Sequence, residues 1–398
     1  MQCLPDSYAS LFSGCGGFDL GFHQQGFTHY AAFDWNKDAV VNFAANIHSQ
    51  ICHTDLRYGI PCEQRLHNID AIIAGPPCQG FSTVGRRDLD DPRNELLTLT
   101  GELALRVRPK VLVVENVAGA VAGAHAKYWN QLSDMMRESG YRTHSIAVQA
   151  AQLGMAQLRK RVLLFAWRTG RDITFHHPAR PPGSLRVALQ DIKGCKNHDP
   201  RCLQDGSREW MIARRIRPGQ KLSNVRGGPN AVPTWAIPEV FGPVTEEERT
   251  VLELLRRLRR QDRAREFGDA DPVSIARLEK ALGNPFRRIV DSLLRKGYVR
   301  HADDAYDLAG TFNGKYRRLS WSEPSCTVDT RFGAPRYFLH PDKQRGFTVR
   351  EAARIQGFDD SYVFSGEEAA QYRLIGNAVP PPLGRLAADF STALLGRC

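Results

Sequence analysis

Residues 8–35 read YASLFSGCGGFDLGFHQQGFTHYAAFDW, and the order of elements in this stretch decides the fold. Tyr8–Phe12 is a short apolar run that ends in the glycine-rich SGCGG. A helix follows from about Phe18 to Gln25, stopped by Gly26, and Thr28–Asp34 is a second strand. Strand, tight turn, helix and strand form the unit from which parallel sheets are wound. Outward from it, Asp70–Ala74, Lys110–Glu115 and Arg161–Trp167 are further short apolar runs, each ended by loop chemistry. The pattern implies an α/β protein with a Rossmann-like, doubly wound parallel sheet covered on both faces.

In open sheets of this kind, ligands bind outside the C-terminal ends of the strands. The first strand delivers Gly14, Gly16 and Gly17, which allow a tight turn and a close approach to a ligand. The second ends in Asp34, twenty positions after Gly14, where a carboxylate can accept both ribose hydroxyls of an adenosine cofactor. Trp35 can stack on the adenine, and Asp55 can accept its amino group. The alternative is a glycine turn beside two solvated carboxylates. Gly16 and Gly17 are adjacent, which departs from G-x-G-x-x-G and points away from a pyrophosphate cofactor. The strand Asp70–Ala74 delivers Gly75-Pro76-Pro77-Cys78-Gln79-Gly80-Phe81-Ser82. A lone cysteine is usually a small buried hydrophobe. A cysteine fixed by two prolines at the mouth of a parallel sheet reads instead as a nucleophile. The strand Lys110–Glu115 delivers Glu115-Asn116-Val117 to the same edge. Glu115 is either a solvated cap or, in a partly dry pocket beside a thiol, an acid of raised pKa.

The 398 residues suffice for two to three domains at about 150 residues each. No run of about 18 apolar residues is present to make a transmembrane helix, and MQCLPDSYASLF lacks the pattern of a secretory signal. Nine irregularly spaced cysteines fit a reducing compartment, so a cytoplasmic location is expected. Cys195, His198 and Cys202 are loosely spaced and lack a fourth ligand, so no metal is expected. A net charge of +11 suggests a polyanionic partner without naming it. From Asp172 to Gly242 the chain becomes loop-rich. From Thr245 it is helical again: Thr245 and Glu248 form a capping-box signature, and Val251, Leu254, Leu255 and Leu258 share a face. Ser274–Leu282 is a second helix, and Phe286, Ile289, Val290, Leu293 and Leu294 mark a third, stopped by Gly297. Tyr298–Arg300 and Ala305–Leu308 then flank Asp303-Asp304 as a small hairpin. Residues 245–310 therefore resemble a winged helix-turn-helix; the alternative is a plain helical core.

Several stretches together resemble the cytosine-5 DNA methyltransferase family. GPPCQGFS (75–82) and ENV (115–117) look like its two signature motifs, and LFSGCGGFDLGF (11–22) looks like its cofactor loop. FDW (33–35) looks like the ribose and adenine clamp, although the acid there is commonly Glu. DPRNELL (91–97), QLRKR (157–161), EPSCTV (323–328), REAARIQGF (350–358) and GNAVPP (376–381) match further motifs in the family's order.

The resemblance implies S-adenosylmethionine as cofactor, held by Phe12, Gly14, Gly16, Gly17, Asp34, Trp35, Asp55, Pro76, Leu96 and Asn377. It implies that Cys78 attacks carbon 6 of a cytosine flipped out of duplex DNA. Glu115 then protonates ring nitrogen 3, Arg161 bonds the carbonyl at carbon 2, and Arg159 anchors phosphate or the cysteine loop. It also implies a catalytic domain at 1–170, completed by 365–398, and a smaller target-recognition domain at 171–364. Ser82, on a loop that closes over the site, and Arg287, Arg288 and Arg295, on a helix entering a groove, are the expected DNA contacts. The function implied is a prokaryotic modification methyltransferase acting as a monomer, with a cognate restriction endonuclease as a possible partner and no membrane. A transfer-RNA cytosine-5 methyltransferase and a catalytically silent DNA-binding regulator are the alternatives.

Overall fold

Seven strands, several of them apolar runs that water would disfavour, assemble into one sheet. They are β1 (Ser7–Leu11), β2 (Thr28–Asp34), β3 (Ile51–His53), β4 (Ala71–Ala74), β5 (Val111–Val117), β6 (Arg142–Gln149) and, after the short β7 (Gln157–Leu158), β8 (Lys160–Trp167). Their order is β3-β2-β1-β4-β5-β8-β6. The computed structural model describes residues 6–67, 69–77, 95–261, 263, 270–283, 286–310 and 312–396. By its internal packing the chain divides into two units. The first comprises Met1–Asp199, Trp321–Arg331 and Thr348–Cys398; the second comprises Pro200–Ser320 and Phe332–Phe347.

In the first unit, β3, β2, β1, β4 and β5 are mutually parallel. Their side chains alternate between two cores, as the two-residue period of a strand requires. Leu11, Ile72, Val114 and Leu164 face one core, with Leu97, Leu103, Leu132 and Met136 of α3 (Leu96–Val107) and α4 (Ala126–Glu138). Tyr8, Ile73, Val113, Leu163 and Phe165 face the other, with Phe18 and Phe22 of α1 (Gly17–Gln24). That second core also takes Leu383, Leu386, Phe390 and Leu394 from the helix Pro381–Leu395, so the end of the chain returns to pack on α1. The crossing is close: a β-carbon on Gly384 would lie 2.7 Å from the carbonyl oxygen of Phe18.

Two features depart from the sequence reading. The sheet is not wholly parallel, because β8 runs antiparallel to both neighbours. Only residues 150–159 separate β6 from β8, fewer than a parallel crossover needs. Strand β6 itself carries no apolar run. Val148 is its one fully buried residue, because RTHSIAVQ is an edge strand with one neighbour and a partly solvated face.

In the second unit, Lys221–Ser223 pairs with Ala231–Val232 and with Asn313–Lys315. Ile212, Ile216, Leu222, Ile237, Tyr316 and Leu339 form the core beneath this small sheet. Between its second and third strands the chain makes a long excursion through helices Glu246–Leu258, Ile275–Leu282 and Phe286–Arg295. Strands Val273–Ser274, Val299–Ala302 and Ala305–Leu308 complete it, the last pairing antiparallel with both others. Val251, Leu255, Leu278, Phe286, Val290 and Leu293 give this insertion a core of its own. Thr245 and Glu248 make the capping box: Glu248 N–H donates to Thr245 Oγ1 at 3.2 Å, and Thr245 N–H donates to Glu248 Oε2 at 2.7 Å. Phe241 and Phe312, at the insertion's two ends, meet edge to face with ring centroids 5.9 Å apart. Among the described residues, no helix is long and apolar enough to cross a membrane.

Candidate active site

The loop between β1 and α1 turns at the C-terminal edge of the sheet. Gly14 and Gly16 have φ of +57° and +83°, in the left-handed region where a β-carbon strains the backbone. Asp34, at the end of β2, holds this loop from below. Gly14 N–H donates to Asp34 Oδ2 and Asn36 N–H to Oδ1, both at 2.8 Å. Burial pushes the Asp34 carboxyl above its usual value, against the pull of those two donors. Asn36 also caps α2 (Lys37–Ile47), accepting from Ala39 N–H at 3.1 Å. Next to Asp34, the Trp35 residue is 64% exposed. A large exposed indole beside a carboxylate with lone pairs to spare, over an open glycine turn, fits a nucleoside. Asp55 follows β3, but both of its oxygens accept from the Arg57 guanidinium, at 2.5 to 3.1 Å. An adenine amino group would have to share or displace that arginine.

The next two strands bring an acid to the same edge. Their register sets Ala74 of β4 opposite Val114 of β5, so Gly75-Pro76-Pro77 leaves the sheet beside Glu115, which stays in β5. Asn116 ties them, its Nδ2 donating to the Pro76 carbonyl at 3.4 Å. On β8, Arg161 pairs with Val117 and Leu163 pairs with Glu115. Glu115 and Arg161 are therefore diagonal neighbours on one face, and Arg161 Nε lies 2.8 Å from Glu115 Oε1. Burial pushes the Glu115 carboxyl above the usual glutamate value, and Arg161 and then Arg159 pull it partly back. A buried acid that gives and recovers a proton beside a guanidinium suits proton transfer to a polar ring. Cys78 and Ser82 lie outside the described residues.

Arg159 points into the fold. It is buried, with Nη1 donating to Val328 O at 3.0 Å and Nη2 to Gly376 O and Ala378 O at 3.2 and 3.1 Å. Two glutamines extend this clamp. Gln157 Nε2 donates to Gln356 Oε1 at 2.8 Å, and Val328 N–H donates to Gln157 Oε1 at 2.9 Å. Gln356 Nε2 donates to Ala378 O at 2.8 Å and Ile375 O at 3.1 Å. The clamp shapes the turn after the helix Glu368–Asn377, whose last residue, Asn377, is exposed. Val379 in that turn stands over both loops: a β-carbon on Gly17 would meet its carbonyl at 2.3 Å, and one on Gly75 would meet its Cγ2 at 3.5 Å. Neither glutamine was singled out from sequence. The available signal was their place inside motif blocks on otherwise apolar segments.

Leu96 opens α3 half-buried, and Phe12 sits at φ +53°, a strained conformation for an aromatic residue. In the second unit, Arg287, Arg288 and Arg295 are all exposed on the helix Phe286–Arg295. Arg287 Nη2 donates to Glu279 Oε1 at 2.9 Å, whereas Arg288 and Arg295 have no ion pair among the described residues.

Known proteins resemble this chain in sequence and in fold. The type II methyltransferase M.AgeI of Thalassovita gelatinovora is 29% identical over 95% of this chain and 97% of its own. M.NgoFVII of Neisseria gonorrhoeae is 28% identical over 94% of this chain and 82% of its own. Among solved structures, the Dnmt2 methyltransferase of S. pombe has the same fold, with a TM-score of 0.53 at 14% identity over 98% of both chains. A candidate DNA modification methyltransferase from an E. coli prophage gives a TM-score of 0.59 at 21% identity, over 98% of this chain and 100% of that one. A family model described as C-5 cytosine-specific DNA methylase matches residues 7–389. The chain belongs to that family and is a DNA cytosine-5 methyltransferase.

Proposed function

We propose that the protein methylates carbon 5 of a cytosine within a specific duplex DNA sequence, as the modification partner of a restriction endonuclease in a prokaryotic cytoplasm. The Glu115–Arg161 pair carries this reading. It stands beside the proline turn that leads to Cys78 and shares one sheet edge with the Asp34 loop. S-adenosylmethionine supplies the methyl group that carbon 5 accepts; Phe12, Gly14, Gly16, Gly17, Asp34, Trp35, Asp55, Pro76, Leu96 and Asn377 hold it.

Carbon 5 of cytosine is too weak a nucleophile unaided. The Cys78 thiolate adds to carbon 6, forming a carbon–sulfur bond, while Glu115 gives its proton to ring nitrogen 3. Arg161 donates to the oxygen on carbon 2 and stabilises the ring as its electrons shift toward carbon 5. After methylation the carbon-5 proton leaves to a base, the carbon–sulfur bond breaks, and the aromatic ring returns. The base must leave the stack to reach Cys78. The first unit, which holds both Glu115 and the Arg159 clamp, performs this chemistry, and the second recognises the target. Within that region the winged-helix reading of 245–310 makes Arg288 and Arg295 groove contacts, with Arg287 already held by Glu279.

The test is a covalent trap. Duplex DNA of mixed sequence carrying 5-fluorocytosine, with S-adenosylmethionine, should give a denaturation-resistant complex with the native protein and none with Cys78→Ala. Methyl transfer that survives in Cys78→Ala would refute the mechanism.

A further inference from the structure

The positive charge of this protein is confined to a small part of it. The first unit contains 27 Lys and Arg against 26 Asp and Glu; the second contains 27 against 17. Within the second unit, the insertion 243–310 has 14 basic and 13 acidic residues. The remainder, 200–242 with 311–320 and 332–347, has 13 basic and 4 acidic. The helical insertion is thus nearly neutral, and many of its cations are spent internally: Arg287 on Glu279, Lys296 on Glu248, and Arg259 and Arg300 on Asp307.

The small sheet is arranged the opposite way. A β-carbon on Gly314 would lie 3.4 Å from Lys221 Cδ and 3.5 Å from Arg317 Nη2, so these two side chains converge over one glycine. Lys315, beside it, rests its ammonium 4.2 Å from the centre of the Tyr337 ring. Lys221, Lys315 and Arg317 have no ion pair among the described residues. Burial, and then Arg317 and Arg226, push the Lys221 ammonium below its usual value, the mark of like charges held together. The neighbouring loop Arg226-Gly227-Gly228-Pro229-Asn230 is exposed throughout, yet its base is hydrogen-bonded. Buried Asn224 donates from Nδ2 to Thr234 Oγ1 at 3.0 Å and to Gly310 O at 2.9 Å, and Thr234 N–H donates back to Asn224 Oδ1 at 2.9 Å. Lys221 N–H donates to Asn230 O at 2.9 Å, closing the loop onto the strand.

We propose that the phosphate-binding surface of this enzyme is the small sheet together with the adjoining strand Arg317–Arg318, with Lys221, Lys315 and Arg317 as its centre and the loop 226–230 at its rim, and not the helical insertion. Crowded cations without carboxylates are stable next to an external polyanion, and the anchored loop meets it without an ordering cost. This rests on the reading of duplex DNA as substrate.

The test is the salt dependence of binding to a duplex that the native protein methylates. Each lost phosphate contact makes the log–log slope shallower by about 0.9, so Lys221→Ala/Lys315→Ala/Arg317→Ala should lose about 2 to 3 in slope and at least about tenfold in affinity near 0.1 M salt. The charge-keeping triple Lys221→Arg/Lys315→Arg/Arg317→Lys should keep the native slope, which separates lost charge from lost fold. Arg288→Ala/Arg295→Ala should change the slope by less than about 1. A native slope in the alanine triple, or a larger slope change in the insertion double variant, overturns the proposal. If the native protein methylates no duplex DNA, the functional reading itself fails, a result distinct from either.

Discussion

Asp19 shows what one buried carboxyl does to the stability of this fold. It is fully buried in α1, takes a hydrogen bond from Ser10 Oγ at 3.1 Å, and has its other oxygen 3.9 Å from His29 Nε2. Burial lifts its pKa to about 7 and lowers that of His29 to about 4, so both are neutral in mildly acidic solution. A carboxyl raised in the fold contributes stability that is whole below the unfolded value near 3.9 and is lost as pH rises through about 7. Asp19→Asn keeps an acceptor for Ser10 and offers His29 a donor. Thermal unfolding from pH 4 to 8 should therefore decline less steeply in this variant, by on the order of 3 kcal/mol across the range. An unchanged decline would show that Asp19 stays ionised. At this scale the motifs single out residues but not the partners those residues take. Glu115 and Arg161 were legible because a motif announces them. That Arg159 turns inward to three carbonyls depends on segments 169 and more residues away, which no local pattern contains.

Among the elements, legibility followed burial. β2 is buried in its second half, Ala32–Asp34, and β1, β4, β5 and β8 are buried along most of their length and announce themselves as apolar runs. The edge strands β3 and β6 do not, because half their surface is solvated. The reversed direction of β8 was out of reach too, since direction depends on the length of a connection whose own strand was not visible. The insertion's helices were readable from capping and leucine spacing, and they start within two residues of the positions read. The crossing of α1 with Pro381–Leu395 is a tighter case. Gly21 and Gly384 bring two helix backbones together, and a β-carbon on Gly384 would also lie 3.2 Å from Gly21 Cα. Backbone atoms cannot give way as a flexible side chain does. Gly384→Ala should cost about 1–3 kcal/mol, read as a lower calorimetric unfolding midpoint. An unchanged midpoint would mean that the helices separate freely.

For the whole molecule, the net charge of +11 describes an average that no part of the chain has. Its first unit is close to neutral and its insertion is close to neutral, so the charge and the chemistry occupy different segments. The topology makes this separable. The insertion leaves the small sheet after Phe241 and returns at Phe312, whose rings are in contact, and it brings its own core. The core beneath the sheet, from Ile212 to Leu339, draws nothing fully buried from 243–310. Trp235 is the main exception in the other direction, since it packs into the insertion's core and would lose its cover. Excising 244–309 and joining the ends through a short glycine linker should therefore lower the unfolding midpoint. It should leave methyl transfer to duplex DNA measurable and most of the salt slope intact, because the phosphate-facing cations remain. What should weaken is discrimination among target sequences, if Arg288 and Arg295 read a groove; sequencing the methylated cytosines of a host expressing each form measures it. A folded excision variant that binds cofactor but transfers no methyl group would show that the insertion is part of the catalytic apparatus.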